Sequence, residues 1–320
     1  MFLEDGEASP RSNVASEKTH DQRRYLYLAG IGVTHSIAFR MHNDIARSLG
    51  LPYEFVNKEC LTVESMIALF RAPTFAGGVV TMPYKKAVLS HLDKLDDLAV
   101  VLGACNNVYL SPEGELVGTN TDWIGIKGCL LDASDQGRGK PAMIIGAGGA
   151  SRAAVYALSA ELDCNTIYVI NRDEQEVIDL FRDAQAYAKH GRSGPRLIHI
   201  QSVEQALGLE TPFYVVGTVP DFEPKTEEEL QARAILESFL ARNADRGVLL
   251  DMCFKPRNTR ILKLGKQHQW RTVEGTDVIG RQIEEQWRLW AGEEAAQRVP
   301  KEEAWAVLRK AAEESPRINF

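Results

Sequence analysis

The chain contains no run of roughly 18 or more apolar residues, the length a membrane-spanning helix requires. It has no cluster of basic residues large enough to neutralise several phosphates. Its 37 Lys and Arg are outnumbered by 44 Asp and Glu, for a net charge of -7. That balance argues against a nucleic acid or an anionic membrane surface as partner, and points to small molecules. Cysteine is sparse too. The five residues Cys60, Cys105, Cys129, Cys164 and Cys253 are odd in number and lack C-x-x-C or Cys/His ligand spacing. They read as reduced thiols in a cytoplasmic protein without a metal site. Residues 1–23 lack the apolar stretch of a signal peptide and are expected to form a disordered leader.

What is present is globular. With 44% hydrophobic and 25% charged residues, 320 residues can bury more than one core, and two domains are expected. From Arg24 the apolar run "YLYLAGIG", the helical stretch "AFRMHNDIARSLG", "YEFV", "VESMIALF" and "GGVVTM" alternate as strand, helix, strand, helix, strand. Such alternation builds crossover units on a mainly parallel sheet. "ACNNVYLSPEGELVGTN" reads instead as a hairpin about its "SPEGE" turn. "TDWIGIKGCLLDA" is an amphipathic helix, and the polar "SDQGRGK" leads into a second core. That core opens with "PAMIIGAGGASRAAVYALSAEL" and "TIYVINRDEQEVIDLF", a complete strand–helix–strand–helix unit. Further strands are expected at "RLIHI", "PFYVVG", "GVLLDM" and "RTVEG", followed by a helical end on which Trp287 and Trp290 are packing anchors.

Two stretches carry chemistry. "GAGGAS", residues 146–151, sits between a strand and a helix, the context of a phosphate-binding turn. Gly146 suits the tight turn, Gly148 lets backbone approach a pyrophosphate, and Gly149 to Ala153 keep the helix close to the sheet. At the end of the next strand, "NRDE" places Arg172 beside Asp173. An acidic residue there accepts ribose hydroxyls, whereas an arginine favours a 2′-phosphate. The expected cofactor is NAD, with NADP left open. The second stretch is "GVVTMPYKK", residues 78–86, which ends a strand with Pro83, Lys85 and Lys86. Proline suits a first helical position, so both lysines are expected in a first turn, where a cation is disfavoured by up to about 1 kcal/mol. Asp122 reads, on its own, as a helix N-cap. His35 and His42 read as histidines that satisfy backbone groups.

In order along the chain, "THSIAFRMHN", "VTMPYK", "GACNN", "GTNTDW", "GAGGASRA" with "NRD", "DMCFKP" and "GTDVIGRQ" resemble the motifs of the shikimate/quinate dehydrogenase family. The resemblance extends from about Arg24 to the C-terminal helices. "VTMP" and "NRD" are more similar to fungal quinate and shikimate dehydrogenase-like members than to the bacterial biosynthetic form. It implies an α/β protein with an N-terminal substrate-binding α/β domain, a Rossmann dinucleotide-binding domain, and C-terminal helices returning to the first domain. The corresponding boundaries are 24–121 with 278–320 for the substrate domain and 122–277 for the NAD(P) domain. The implied reaction is hydride transfer between NAD(P) and a ring hydroxyl of quinate or shikimate, as in quinate metabolism and aromatic amino acid biosynthesis, in a monomer or homodimer.

The resemblance also implies residue roles. Lys85 and Asp122 fall on the catalytic pair. Ser36 falls on a carboxylate ligand, while Thr81, Asn106, Asp122 and Gln282 fall on ring-hydroxyl ligands. Phe254 stands where a tyrosine reaches substrate. Cofactor contacts are implied for Asp97, Gly146, Ala147, Gly148, Gly149, Ala150, Asn171, Arg172, Asp173, Met252 and Gly275. The chain departs from the family pattern at Ala38, where a second serine is usual, and at Val79, Asn107, Phe254 and Asp277. Those departures keep two alternatives in view: a catalytically silent metabolite-binding regulator of the same fold, or a dehydrogenase of another cyclic hydroxy acid.

Overall fold

Two six-stranded sheets organise the chain. The structure, a computed structural model, describes residues 23–189, 194–242 and 246–320. The expected leader therefore lies, but for Arg23, outside the described residues. Among those described, no helix is long and apolar enough to cross a membrane.

The first sheet contains β1 (Arg24–Gly30), β2 (Tyr53–Glu59), β3 (Phe75–Val80), β4 (Lys94–Leu95), β5 (Asn107–Leu110) and β6 (Leu116–Thr119), in the order β2-β1-β3-β5-β6-β4. Strands β2, β1 and β3 are parallel, as the alternation predicts. The hairpin β5–β6 is antiparallel and pairs β5 with β3. That reversal brings the start of β5 to the carboxyl end of β3, where Val80 N–H donates to Asn106 O at 2.8 Å.

The second sheet contains β7 (Ala142–Ile145), β8 (Thr166–Ile170), β9 (Arg196–His199), β10 (Tyr214–Gly217), β11 (Val248–Asp251) and β12 (Arg271–Val273). Its order is β12-β11-β10-β7-β8-β9, every pairing parallel. This is the doubly wound order, whose direction reverses between β7 and β10, where such sheets bind ligands. Alternation along β7 explains the layers. Ala142 and Ile144 join the core under helices Asp122–Ala133 and Gly149–Tyr156, while Met143 and Ile145 join the core under Glu227–Leu240 and Arg260–Gln267.

The helical end returns to the first sheet, as expected. Helix Ile283–Ala291 buries Trp287 and Trp290 against Met41, Ile45 and Phe55. A Cβ on Gly77 would lie 2.1 Å from the Trp290 indole, so β3 can carry only glycine there.

Two local expectations are corrected. Pro83 follows a cis peptide bond, and residues 82–86 form a turn before the short 3-10 helix Ala87–His91. Lys85 therefore lies in no helical first turn, and the dipole argument does not apply to it. The expected helical end is also broken where it begins, into the helices Gly275–Gly280 and Ile283–Ala291. At the break Gly280 packs so closely on Trp305 that a Cβ would lie 2.4 Å from the ring, and Gln282 turns its amide inward.

Candidate active site

The carboxyl ends of β1 and β3 and the start of β5 form one edge of the first sheet, and Lys85 rises from the turn beyond β3. That turn is anchored at both sides of the lysine. The buried Tyr84 donates its hydroxyl to Cys60 O at 3.0 Å, and Lys85 O accepts Cys105 N–H at 2.7 Å. The lysine amine makes a direct ion pair with Asp122 Oδ2, with the two side chains only 15% and 7% exposed. Asp122 begins helix Asp122–Ala133, but Thr121 is its N-cap, and the Asp122 N–H is taken by Asn120 Oδ1 at 3.0 Å. Both carboxylate oxygens are otherwise engaged, which overturns the N-cap reading of Asp122.

Asn106 organises the other side of that carboxylate. Its Nδ2 donates to Asp122 Oδ1 at 2.8 Å and to Gln282 Oε1 at 3.0 Å, and its Oδ1 accepts Thr121 N–H at 2.6 Å. Thr121 Oγ1 donates to Gln282 Oε1 at 2.6 Å, and Gln282 Nε2 donates to Val278 O at 3.1 Å. Asn106, Thr121, Asp122 and Gln282 are all buried. A buried network with its partners met holds one geometry, so the Lys85 amine meets a carboxylate fixed from behind. Thr121, to which no role falls by resemblance, is part of this network; its position next to Asp122 was the available signal.

The remaining substrate-side residues line the same edge without joining the network. Thr81 follows β3 and donates its N–H to Ala29 O at 3.1 Å. Ser36 Oγ accepts the Ala38 N–H at 3.4 Å, and Ser36 O accepts Asn57 Nδ2 at 2.9 Å. The Ser36 hydroxyl hydrogen is left over from these bonds. Phe254 lies tilted against the His35 ring at 5.3 Å between centroids, and Asn107 Oδ1 accepts the Trp290 Nε1–H at 3.0 Å.

His35 meets the expectation, with a backbone hydrogen bond to Gly32, but His42 does not. His42 is fully buried between Phe55 and Trp290, at 4.4 and 5.3 Å between ring centroids, and neither ring nitrogen has a partner among the described residues. Burial pushes its imidazole down to about 3. Burial also lowers His35 from its ordinary value. Elsewhere, burial raises the Asp251 carboxyl to about 6 despite donation from Thr259 Oγ1 at 2.6 Å, and it raises the half-buried Asp277.

The glycine turn of the second sheet faces this pair. Gly146 has φ of 114°, in the region that favours glycine, and donates its N–H to Ile170 O at 2.8 Å. A Cβ added at Gly148 would meet nothing within 4 Å, leaving open space over the turn. One added at Gly149 would lie 3.0 Å from Lys85 Cβ, which measures how closely the turn approaches the lysine. Beneath it, the buried Arg152 donates through one NH group to Ala147 O and Gly148 O, each at 3.0 Å, and its Nε donates to Asp183 at 2.9 Å. In a trans peptide the N–H opposes the C=O, so the N–H groups of Gly148 and Gly149 are turned away from the guanidinium, toward the open side. This cradle fits a pyrophosphate, and Ala150 follows it in the helix. Arg152 lies within the "GAGGASRA" string, yet only its burial reveals this role.

At the end of β8, Asp173 Oδ1 accepts Glu176 N–H at 3.1 Å, the bond of an N-cap. Asn171 Nδ2 donates to Asp173 O at 2.9 Å. Arg172 pairs with Glu229. Asp97 is exposed in the first turn of helix Asp97–Leu102, which packs on the helices beginning at Gly149 and Glu174. Met252 and Gly275 adjoin, since a Cβ on Gly275 would lie 2.4 Å from Met252 O.

Comparison with known proteins sharpens what this arrangement is. A family model for the shikimate dehydrogenase substrate binding domain matches residues 28–108. Over 298 residues the chain is 35% identical to a quinate dehydrogenase of Emericella nidulans, covering 86% of this chain and 89% of that protein. It is 33% identical over 275 residues to a pentafunctional AROM polypeptide of Eremothecium gossypii, which covers 83% of this chain but 17% of that polypeptide. Among solved structures, a shikimate 5-dehydrogenase from Thermus thermophilus, in complex with NADP(H) and shikimate, superposes with a TM-score of 0.67 at 27% identity, over 91% of this chain and 100% of that one.

Proposed function

The chain belongs to the shikimate/quinate dehydrogenase family, and from that premise we propose that Lys85 and Asp122 are its catalytic pair. The protein is an NAD(P)-dependent oxidoreductase acting on a CH–OH group of quinate or shikimate. One observation carries the assignment of the pair: a lysine fixed against a buried carboxylate stands directly opposite a turn shaped for a dinucleotide pyrophosphate.

NAD(P), when bound, supplies the hydride acceptor for oxidation and the donor for reduction. Gly146, Ala147, Gly148, Gly149 and Ala150 would hold its pyrophosphate. Asn171, Arg172 and Asp173 would meet its adenosine end and Met252 and Gly275 its nicotinamide side, while Asp97, on the helix packed against those beginning at Gly149 and Glu174, would add a further contact. Lys85 exchanges a proton with the reacting hydroxyl at its Nζ, the step that general acid–base catalysis must provide as the hydride moves. Asp122 orients that amine and accepts a ring hydroxyl. Asn106 holds Asp122 and Gln282 braces Asn106, and both offer further polar atoms to the ring, with Thr81 beside them. Ser36 offers its free hydroxyl hydrogen to the substrate carboxylate, and Phe254 closes that end as an apolar wall.

In this reading residues 24–121 with 278–320 bind substrate, and residues 122–277 bind the dinucleotide. The five unpaired cysteines support a reducing, cytoplasmic location. The test is a two-by-two screen of quinate and shikimate against NAD and NADP, followed by reduced-nicotinamide absorbance. Turnover in at least one combination is expected. Binding by calorimetry without turnover in any combination would instead support the silent regulator.

A further inference from the structure

Arg172 stands where a positive charge would attract a 2′-phosphate, yet it is already engaged. It follows Ile170, whose carbonyl takes the Gly146 N–H, by two positions, so it lies at the mouth of the phosphate turn. Asn171 and Asp173 are committed to bonds within their own turn. The Arg172 side chain leaves that turn and donates to Glu229 Oε1 across to the helix that follows β10. This carboxylate is not a mobile surface group. Its Oε2 accepts the N–H of Lys225 at 2.9 Å and of Thr226 at 3.2 Å, while Thr226 Oγ1 accepts the Glu229 N–H, completing a capping box. Glu229 is 21% exposed against 64% for Arg172, so the acid is the fixed partner and the arginine comes to it.

We propose that Glu229 is a cofactor-selectivity residue, which holds and neutralises Arg172 and so disfavours a dinucleotide bearing a 2′-phosphate relative to one bearing a free 2′-hydroxyl. The inference rests on the dinucleotide-binding reading above. The chemistry has two parts. A phosphate gains most from a guanidinium free to make paired, charge-assisted bonds, and here that fork already faces a carboxylate. The same carboxylate repels the phosphate, an element of selection by penalty against the wrong ligand. A ribose hydroxyl is neutral and is not penalised.

Glu229→Gln separates charge from structure, because glutamine also serves at the third position of a capping box. The readout is equilibrium binding of NAD and NADP by calorimetry without substrate. The native chain is expected to bind NAD more tightly, and Glu229→Gln to shift the NADP-to-NAD affinity ratio toward NADP by about tenfold. Adding Arg172→Gln to that variant should abolish the gain, since the released arginine is its source. A ratio within about twofold of native in Glu229→Gln, or a gain that survives Arg172→Gln, would overturn the proposal while leaving the dehydrogenase reading intact. Failure of the native chain to bind either dinucleotide would overturn both.

Discussion

Asn106 and Asp122, sixteen residues apart, meet through a 2.8 Å hydrogen bond that fixes the carboxylate to which Lys85 pairs. The contact exists because the β5–β6 hairpin folds back, placing Asn106 just before β5 and Asp122 just after β6. Replacing Asn106 by Ala removes a donor to Asp122 and Gln282 and an acceptor for the Thr121 N–H. Stranding such buried groups costs about 1–3 kcal/mol. Asn106→Ala is therefore expected to lower unfolding stability by that amount in urea and to reduce kcat, while dinucleotide affinity by calorimetry stays unchanged. Unaltered stability and turnover would show that the network does not hold Asp122.

Much of this arrangement was legible in the sequence, but unevenly. Strands β7, β8, β10 and β11 announced themselves as short buried runs, because the middle of a parallel sheet covered on both faces needs continuous apolar residues, whereas the edge strands β9 and β12 are only partly buried. The "SPEGE" turn marked the hairpin. Lys85 was picked out by its odd place behind Pro83, but for a reason that proved wrong: the turn is not helical, and its neighbours in space come from Cys105, Asp122 and Gly149. Arg152 and Thr121 were missed because each acts through burial against residues that sequence spacing cannot place. The pairing of Arg172 with Glu229 spans 57 residues and joins the turn after β8 to the helix after β10, so no local pattern encodes it.

His42 makes acid stability testable. Its folded value of about 3 lies below the ordinary 6.5, so the unfolded chain binds a proton that the folded chain refuses. The contribution is fully present above pH 6.5 and is lost as pH falls toward 3, at up to about 1.4 kcal/mol per pH unit. Burial of His35 acts in the same direction, and the raised Asp251 carboxyl acts oppositely below about 6. A comparison with His42→Phe, which keeps a ring stacked on Phe55, isolates the one group. Between about pH 7.5 and pH 5 the native chain should lose about 2 kcal/mol more than the variant in urea unfolding. Parallel pH profiles would place a partner on the His42 ring.

Ala38 bears on substrate choice. It starts its helix with 7% exposure beside Ser36, at the position where the family's second carboxylate-binding serine is usual. A charge-assisted hydrogen bond is worth about 1.5–3 kcal/mol, and the methyl group leaves space for the additional hydroxyl that quinate carries next to its carboxylate. The kcat/KM ratio is expected to favour quinate, and Ala38→Ser to move it toward shikimate by about tenfold. A native preference for shikimate, or an unchanged ratio in the variant, would refute this account of the carboxylate end.

The measurement that bears most directly on the central claim is turnover of Lys85→Met set beside its dinucleotide affinity. Methionine keeps the stem that packs against Gly149 and removes the amine from Asp122. If Lys85 moves the proton of the reacting hydroxyl, kcat with the better of quinate and shikimate falls by at least about 100-fold, the scale of general acid–base catalysis. Calorimetric affinity for the dinucleotide should remain within about twofold of native, a shift below roughly 0.5 kcal/mol. Near-native turnover in Lys85→Met would contradict the assignment of the Lys85 and Asp122 pair to the chemistry.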